Sequence, residues 1–387
     1  MESTQMDGAR EPERLKLAAS CLFGLEGPLG NELRHMGMEN VAPENGRVFF
    51  ETDISGLARA NIRSRFAERI LLELGAFPAR SFDELFEGVR ALPLEDYLPR
   101  DAAFPVEGWS LESALHSVPD CQRIIKKAAA KRLGERYGLG WLPETGAEHR
   151  LRFTIYKDEC RVFLDSSGTA LHKRGYRPAH NAAPLRETLA AALVDIAGYR
   201  GRVELCDPFC GSGTIAIEAA LAAKGRAPGL NRSFAAESWG FVPRGVWTAE
   251  RESARAREFS GEYRIYASDI DPKSVSLARE NARRAGVEGL IDFSAADARD
   301  FSRRTEDGVI VTNPPYGERL MERREASELL RAFGAAWRES GWRLALLSSD
   351  EEAERALGAR ADKRRKLYNG MIKCTLYIYG DKRGRKR

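Results

Sequence analysis

A chain of 387 residues is longer than one ordinary hydrophobic core supports, so its length points to two domains or to one large domain with an appendage. Apolar residues at 43% and charged residues at 30% exclude wholesale disorder. The formal net charge of +4 is too small to name a partner by itself.

Residues 1–16 lack an apolar h-region and are expected to form a disordered tail rather than a signal peptide. Apolar stretches such as 17–25 fall short of the roughly 20 residues that span a bilayer, so no membrane partner is expected. The six cysteines are scattered, which suits a reducing, cytoplasmic setting. Cys206 and Cys210 are a close pair, but no His or Cys cluster completes a ligand set, and no metal is expected.

Residues 17–170 predict a mixed α+β region. A strand at 17–23, a helix at 28–37 and a strand pair turning at Asn45-Gly46 open it. Leu57, Ile62, Phe66, Ile70 and Leu74 recur at helical spacing and predict one amphipathic helix over 54–74, followed by a strand at Phe77. Further strands are expected at 104–106, 150–156 and 160–166. Residues 121–136 predict a helix with an apolar stripe of Ile124, Ile125, Ala128, Ala129 and Leu133, carrying Arg123, Lys126, Lys127, Lys131, Arg132 and Arg136. With the run 363–366 and a basic tail at 381–387, it makes three basic clusters. Concentrated Lys and Arg are commonly used on phosphate, so the clusters favour a polyanionic partner.

Residues 171–186 break the periodicity with Gly175, Pro178 and Pro184 and are read as a linker, which places the domain boundary near 170. From 187 to 380 a helix over 187–196 comes first, and then the order is strand, Gly-rich turn, helix, strand, acidic turn, helix, strand. That alternation builds a doubly wound, Rossmann-like parallel sheet.

Four segments of this second half carry candidate chemistry. In VELCDPFCGSGTIAIEAA (203–220), an apolar strand runs into Asp207-Pro208 and Gly211-Ser212-Gly213 before a helix, a turn that lets a ligand approach backbone amides. The third glycine of GxGxxG is missing and there is no GK[ST], so dinucleotide and P-loop readings fail. In IYASDIDPKSVSLARENARRA (265–285), Asp269 ends a strand, where an acidic side chain commonly holds ribose hydroxyls. Asp271, before Pro272, suits a helix cap equally well. Asp297 follows a third strand and could accept from an adenine amino group. Finally, VIVTNPPYG (309–317) ends a strand in Asn313-Pro314-Pro315-Tyr316. Paired prolines remove two backbone donors and leave carbonyls free to accept. An amine held by the Asn313 side-chain oxygen and the Pro314 carbonyl would aim its lone pair at a methyl donor, with Tyr316 stacked on an extruded base.

The succession DPFCGSG, SDIDP, NPPYG resembles class I S-adenosylmethionine-dependent methyltransferases that act on exocyclic amines. The resemblance implies that Asp207, Pro208, Cys210, Gly211, Ser212 and Gly213 hold the methionine end of S-adenosylmethionine. By the same token Asp269 and Ile270 hold its ribose and Asp297 and Ala298 its adenine, while Asn313, Pro314, Pro315 and Tyr316 form the catalytic, base-binding motif, with Asn313 also beside the cofactor. RGYR (174–177), APLRETLAAAL (183–193) and RAPGL (226–230) look like the bacterial 23S rRNA guanine-N2 methyltransferases with an N-terminal THUMP domain. That likeness implies a ferredoxin-like plus THUMP region over 17–170 and a methyltransferase domain over 187–380. It also implies an RNA partner, rRNA first and tRNA as the alternative, contacted by Arg123, Lys126, Lys127, Lys131, Arg174 and Arg177. Adenine N6 remains a second candidate atom, since such motifs serve both purine amines. Residues 225–263, with Trp239, Phe241 and Trp247, are expected to be an insertion. A dehydrogenase is disfavoured by the glycine pattern, and a non-catalytic RNA-binding factor by the intact motifs.

Overall fold

The structure, a computed structural model, describes residues 14–177, 185–303, 305–315 and 320–380. Residues 1–13 of the expected tail at 1–16, the tail at 381–387, the centre of the linker at 178–184 and Tyr316 lie outside the described residues, while Leu15 and Lys16, expected in the tail, open the first strand.

The first half builds one mixed sheet. Its elements are β1 (Leu15–Ser20), α1 (Glu26–His35), β2 (Glu39–Glu44), β3 (Arg47–Thr52), α2 (Ile54–Arg63), β4 (Arg69–Pro78), α3 (Phe82–Ala91), β5 (Val106–Leu111), α4 (Val118–Tyr137), β6 (Leu151–Tyr156) and β7 (Glu159–Asp165). The strand order is β2-β3-β1-β4-β7-β6-β5, antiparallel except for β5 beside β6.

The helix expected over 54–74 is in fact α2 followed by β4. Ser64 ends α2 in an extended conformation, where its hydroxyl donates to Glu32 and accepts from the Ala67 amide at 3.0 Å. Such side-chain bonds compete with helical ones. Beyond it Ile70, Leu71 and Leu72 are all buried, because β4 is a central strand with both faces covered. A run apolar on both faces carries no period-2 signal. The expected strand at 104–106 begins only at Val106, with Phe104 buried just before it.

The second half contains α5 (Glu187–Ile196), β8 (Glu204–Asp207), α6 (Thr214–Lys224), α7 (Arg244–Arg255), β9 (Ile265–Asp269), α8 (Pro272–Ala285), β10 (Ile291–Ala295), β11 (Gly308–Thr312), α9 (Leu320–Ser340), β12 (Arg343–Ser348), α10 (Ala353–Leu357), β13 (Lys363–Asn369) and β14 (Ile372–Tyr379). Its order is β10-β9-β8-β11-β12-β14-β13, with the first five strands parallel and β14 antiparallel to both neighbours. Val309 and Val311 face a core with α5, α6 and α8, while Ile310 faces another with Phe333 and Trp337 of α9. This is the doubly wound sheet the alternation predicts. The chain leaves β8 toward β9 and returns on its other side at β11. The carboxyl ends of β8, β9 and β11 therefore open a crevice where ligands of such sheets bind.

The two halves share one apolar core, from Leu17 through Leu133 and Leu189 to Ile378. The start of the expected linker is packed rather than free. The Leu171 amide donates to the Glu68 carbonyl at 2.8 Å, and Tyr176 is buried.

Candidate active site

The loop after β8 is folded by glycine. Gly211 and Gly213 adopt φ of 50° and 82°, a left-handed region in which a side chain is strained. A Cβ on Gly213 would also lie 2.9 Å from Ala278 Cβ, so α6 and α8 pack too closely for anything but glycine. Gly213 caps α6 without a side-chain acceptor. The loop is tied to the end of β9, where the Gly211 amide donates to Asp269 Oδ2 at 3.0 Å and the Cys210 amide to the Ser268 carbonyl at 2.9 Å. Asn281 Nδ2, from α8, holds the Ser212 carbonyl at 3.0 Å.

At the end of β9, Asp269 Oδ1 accepts the Asp271 amide at 3.0 Å, and Asp271 caps α8 through the Lys273 amide, also at 3.0 Å. Asp271 is therefore the helix cap, and Asp269 faces the crevice. After β10, Asp297 accepts from the Arg299 amide at 2.9 Å and from Arg299 Nε at 2.8 Å, so its carboxylate stays well ionised. After β11 comes Asn313, whose Oδ1 is buried and lacks a hydrogen-bond partner.

These strand ends enclose one cavity of about 690 Å³. Its walls are Pro208, Phe209 and Gly211 from the first loop, Asp269 and Ile270 from the second, Asp297, Ala298 and Arg299 from the third, Asn313, Pro314 and Pro315 from the fourth, and Leu329 of α9. Phe209, Arg299 and Leu329 were not expected from the sequence. The first two adjoin motif residues, whereas nothing local marks Leu329.

Other expected residues are placed as follows. Asp207 does not line the cavity. It is 1% exposed, and its Oδ1 accepts from Thr312 Oγ1 at 2.7 Å and the Phe209 amide at 3.3 Å. It braces the first loop against β11, and burial pushes its carboxyl up to about 7. Cys210 is buried, and burial raises its thiol far from the thiolate form a nucleophile needs. Arg174 is 6% exposed and donates to the carbonyls of Leu171 and Arg65 at 2.8 and 2.6 Å. Arg177 is held by Glu187 at 2.6 Å. On α4, Lys126 is engaged by Glu144 at 2.6 Å and covers the Phe104 ring. Arg123 pairs with Asp120 and Lys131 with Glu135, both on exposed helix surface, and Lys127 lies 5.9 Å from the Phe86 ring centre.

Among the described residues no group of His, Cys, Asp and Glu could hold a metal, and no helix is long and apolar enough to cross a membrane.

Comparison with known proteins agrees with this division. Residues 16–71 match the RlmL ferredoxin-like domain, 79–165 the THUMP domain, and 174–378 the RMKL-like methyltransferase domain. The chain is 43% identical to YpsC of Bacillus subtilis (strain 168), provisionally named an RNA methyltransferase, over 96% of this chain and 97% of that one. It is 36% identical to the ribosomal RNA large subunit methyltransferase K/L of Psychromonas ingrahamii over 92% of its own length, but spans only 49% of that protein. The crystal structure of SMU.472, described as a methyltransferase and complexed with SAH, superposes with a TM-score of 0.89 at 38% identity, covering 95% of this chain and 98% of that one.

Proposed function

This chain belongs to the RMKL-like methyltransferase family, and from that premise we propose that it methylates the exocyclic N2 amine of a guanine in RNA, 23S rRNA foremost, using S-adenosylmethionine. The carrying observation is the buried, unpartnered Oδ1 of Asn313 on the wall of a cavity that also holds Asp269 and the glycine loop. An acceptor shut away from water and left without a donor is destabilising, and an N–H of a substrate amine relieves it.

The residues present fit the cofactor. Each Asp269 oxygen receives one backbone amide and retains a lone pair for a ribose hydroxyl. Ile270, 66% exposed, offers an apolar wall to a purine ring, and the Asp297–Arg299 pair closes the far side. Gly211 leaves space for a ligand to lie against the loop, since no atom comes within 4 Å of the point a Cβ would occupy there. When bound, S-adenosylmethionine supplies an electrophilic methyl group on a cationic sulfur.

The chain's own part is orientation. Asn313 Oδ1 and the Pro314 carbonyl accept hydrogen bonds from the two amine N–H groups, which turns the nitrogen lone pair toward the donor. Phe209 and Leu329 keep water from the transfer path. Placing the reacting atoms, rather than covalent catalysis, supplies the rate enhancement. Arg123, Lys127 and Lys131 of α4 present cations for the RNA backbone.

Unmodified transcripts of large-subunit rRNA and of tRNA, incubated with labelled cofactor and digested to nucleosides, test the reading. Label in N2-methylguanosine of the rRNA supports it. Label confined to tRNA or to N6-methyladenosine transfers the activity to that substrate, and no label in any RNA removes it.

A further inference from the structure

A second cavity, of about 440 Å³, lies where α1 and α2 meet the inserted segment around Gly225 and α7. It is remote from the active site. Gly225 caps the C-terminal end of α6, and the 11 residues of that helix separate it from the glycine loop by about 16 Å.

The wall of this cavity carries Arg59, Arg63, Arg65 and Arg257. Two carboxylates, Glu250 and Glu32, hydrogen-bond to this arginine cluster, while Glu218 and Asp195 act on Arg65 and Asp53 on Arg59 from further off. Glu250 is shared by Arg59 and Arg63 at 2.8 and 3.0 Å. Glu32 accepts the Arg65 backbone amide at 2.8 Å and the Ser64 hydroxyl, and its burial pushes its carboxyl upward, which weakens it as a counter-charge. Arg65 Nη2 is spent on the carbonyls of Leu221 and Arg226 at 3.1 and 2.9 Å. Arg63 Nε and Arg65 Nη1 are left buried without any acceptor. Arg257 is exposed at the mouth, has no ion-pair partner among the described residues, and is close enough to oppose the charge on Arg63.

Unpaired guanidinium nitrogens in a partly enclosed, positively charged cavity are short of one thing, an anion with several acceptor oxygens. Guanidinium forks match the geometry of phosphate. We propose that this cavity is a phosphate-binding site, with Arg63, Arg65 and Arg257 as its ligands and the Ser253 hydroxyl, already 2.8 Å from Arg63 Nη2, beside them. The phosphate belongs either to a nucleic-acid backbone passing over the junction of the two halves or to a free phosphorylated molecule. This site stands independently of the methyl-transfer reading, since it uses other residues and another ligand.

The test is calorimetry of the full chain with inorganic phosphate, replacing chloride at constant ionic strength. Saturable binding at one site is expected. Because Arg257 is exposed and holds up no other element, Arg257→Ala and Arg257→Glu should fold normally, retain S-adenosylhomocysteine binding, and weaken phosphate by about threefold and tenfold or more. A short single-stranded oligoribonucleotide separates the sources. If it displaces phosphate and itself weakens with Arg257→Glu, the ligand is a backbone phosphate, and if phosphate binds but is not displaced, the ligand is a free phosphate. Absence of saturable binding, or equal affinity in the three proteins, overturns the site.

Discussion

A side-chain oxygen buried without a donor costs on the order of 1–3 kcal/mol, so Asn313 stands in the cavity wall at the expense of stability. Replacing it with alanine should leave the melting temperature unchanged or slightly higher. Turnover should fall by about 100-fold or more, because an interaction made with the reacting amine is lost. Cofactor affinity should stay within about threefold, and calorimetry that showed it lost as well would make Asn313 a cofactor ligand instead. Asp207 sets up a pH effect of known sign. Its folded value of about 7 lies above its ordinary 3.8, so the folded state binds the extra proton between those limits. Its burial therefore adds no penalty below about pH 4, and the penalty grows as pH rises toward about 7 and then levels off. Asp207→Asn keeps an oxygen for Thr312 and Phe209 but has no charge to desolvate. The melting temperature of the variant relative to the natural protein should rise by a few degrees between about pH 5 and pH 8. Parallel melting curves would show that the carboxylate is ionised throughout.

At the level of elements, the two glycines of the first loop separate two roles that look alike in the sequence. Gly213→Ala combines a strained φ of 82° with a 2.9 Å approach to Ala278, so it should lower stability by about 2 kcal/mol or more and loosen α6 against α8. Gly211→Ala meets nothing within 4 Å, and its methyl points into space a ligand needs. It should cost less stability and yet weaken cofactor binding more, which denaturation and calorimetry on the two variants would resolve. The motif positions were legible because turn chemistry is local. A glycine loop, an acidic strand end and paired prolines each declare themselves within a few residues, and the parallel sheet then brings them to one edge. Asp207 shows where local reading stops. Its place in the motif is visible, but the Thr312 hydroxyl that turns it inward comes from a strand distant in sequence. The split at Ser64 was hidden because Ile70 and Leu72 continue a helical spacing that only their pairing with β1 overrides.

Across the whole molecule, the inserted segment explains why the two halves share a core instead of hanging from a tether. Residues around α7 reach back to the first sheet and its helices. Trp239 stacks on His149 with ring centres 6.3 Å apart, Phe241 meets Tyr97 edge-on at 5.4 Å, and the Gly229 amide donates to the Ile62 carbonyl at 2.9 Å. None of these partners is near in sequence, which is why the segment read only as an insertion. Its electrostatic centre is Glu250, 7% exposed, gripping Arg59 and Arg63 of α2. A rigid junction would fix the distance between helix α4, proposed to hold RNA, and the cavity on the other half, and that distance would select which nucleotide can be delivered. Glu250→Ala leaves two guanidinium groups facing each other without a counter-charge and should destabilise the protein by about 3 kcal/mol. The loss should fall on the junction. Limited proteolysis should cut the variant within 225–263 while both sheets stay folded, and turnover on folded rRNA should drop more than cofactor binding does. If the variant melted lower in one transition, with no new cleavage there, Glu250 would be an ordinary core contact and the brace would lie in the aromatic pairs.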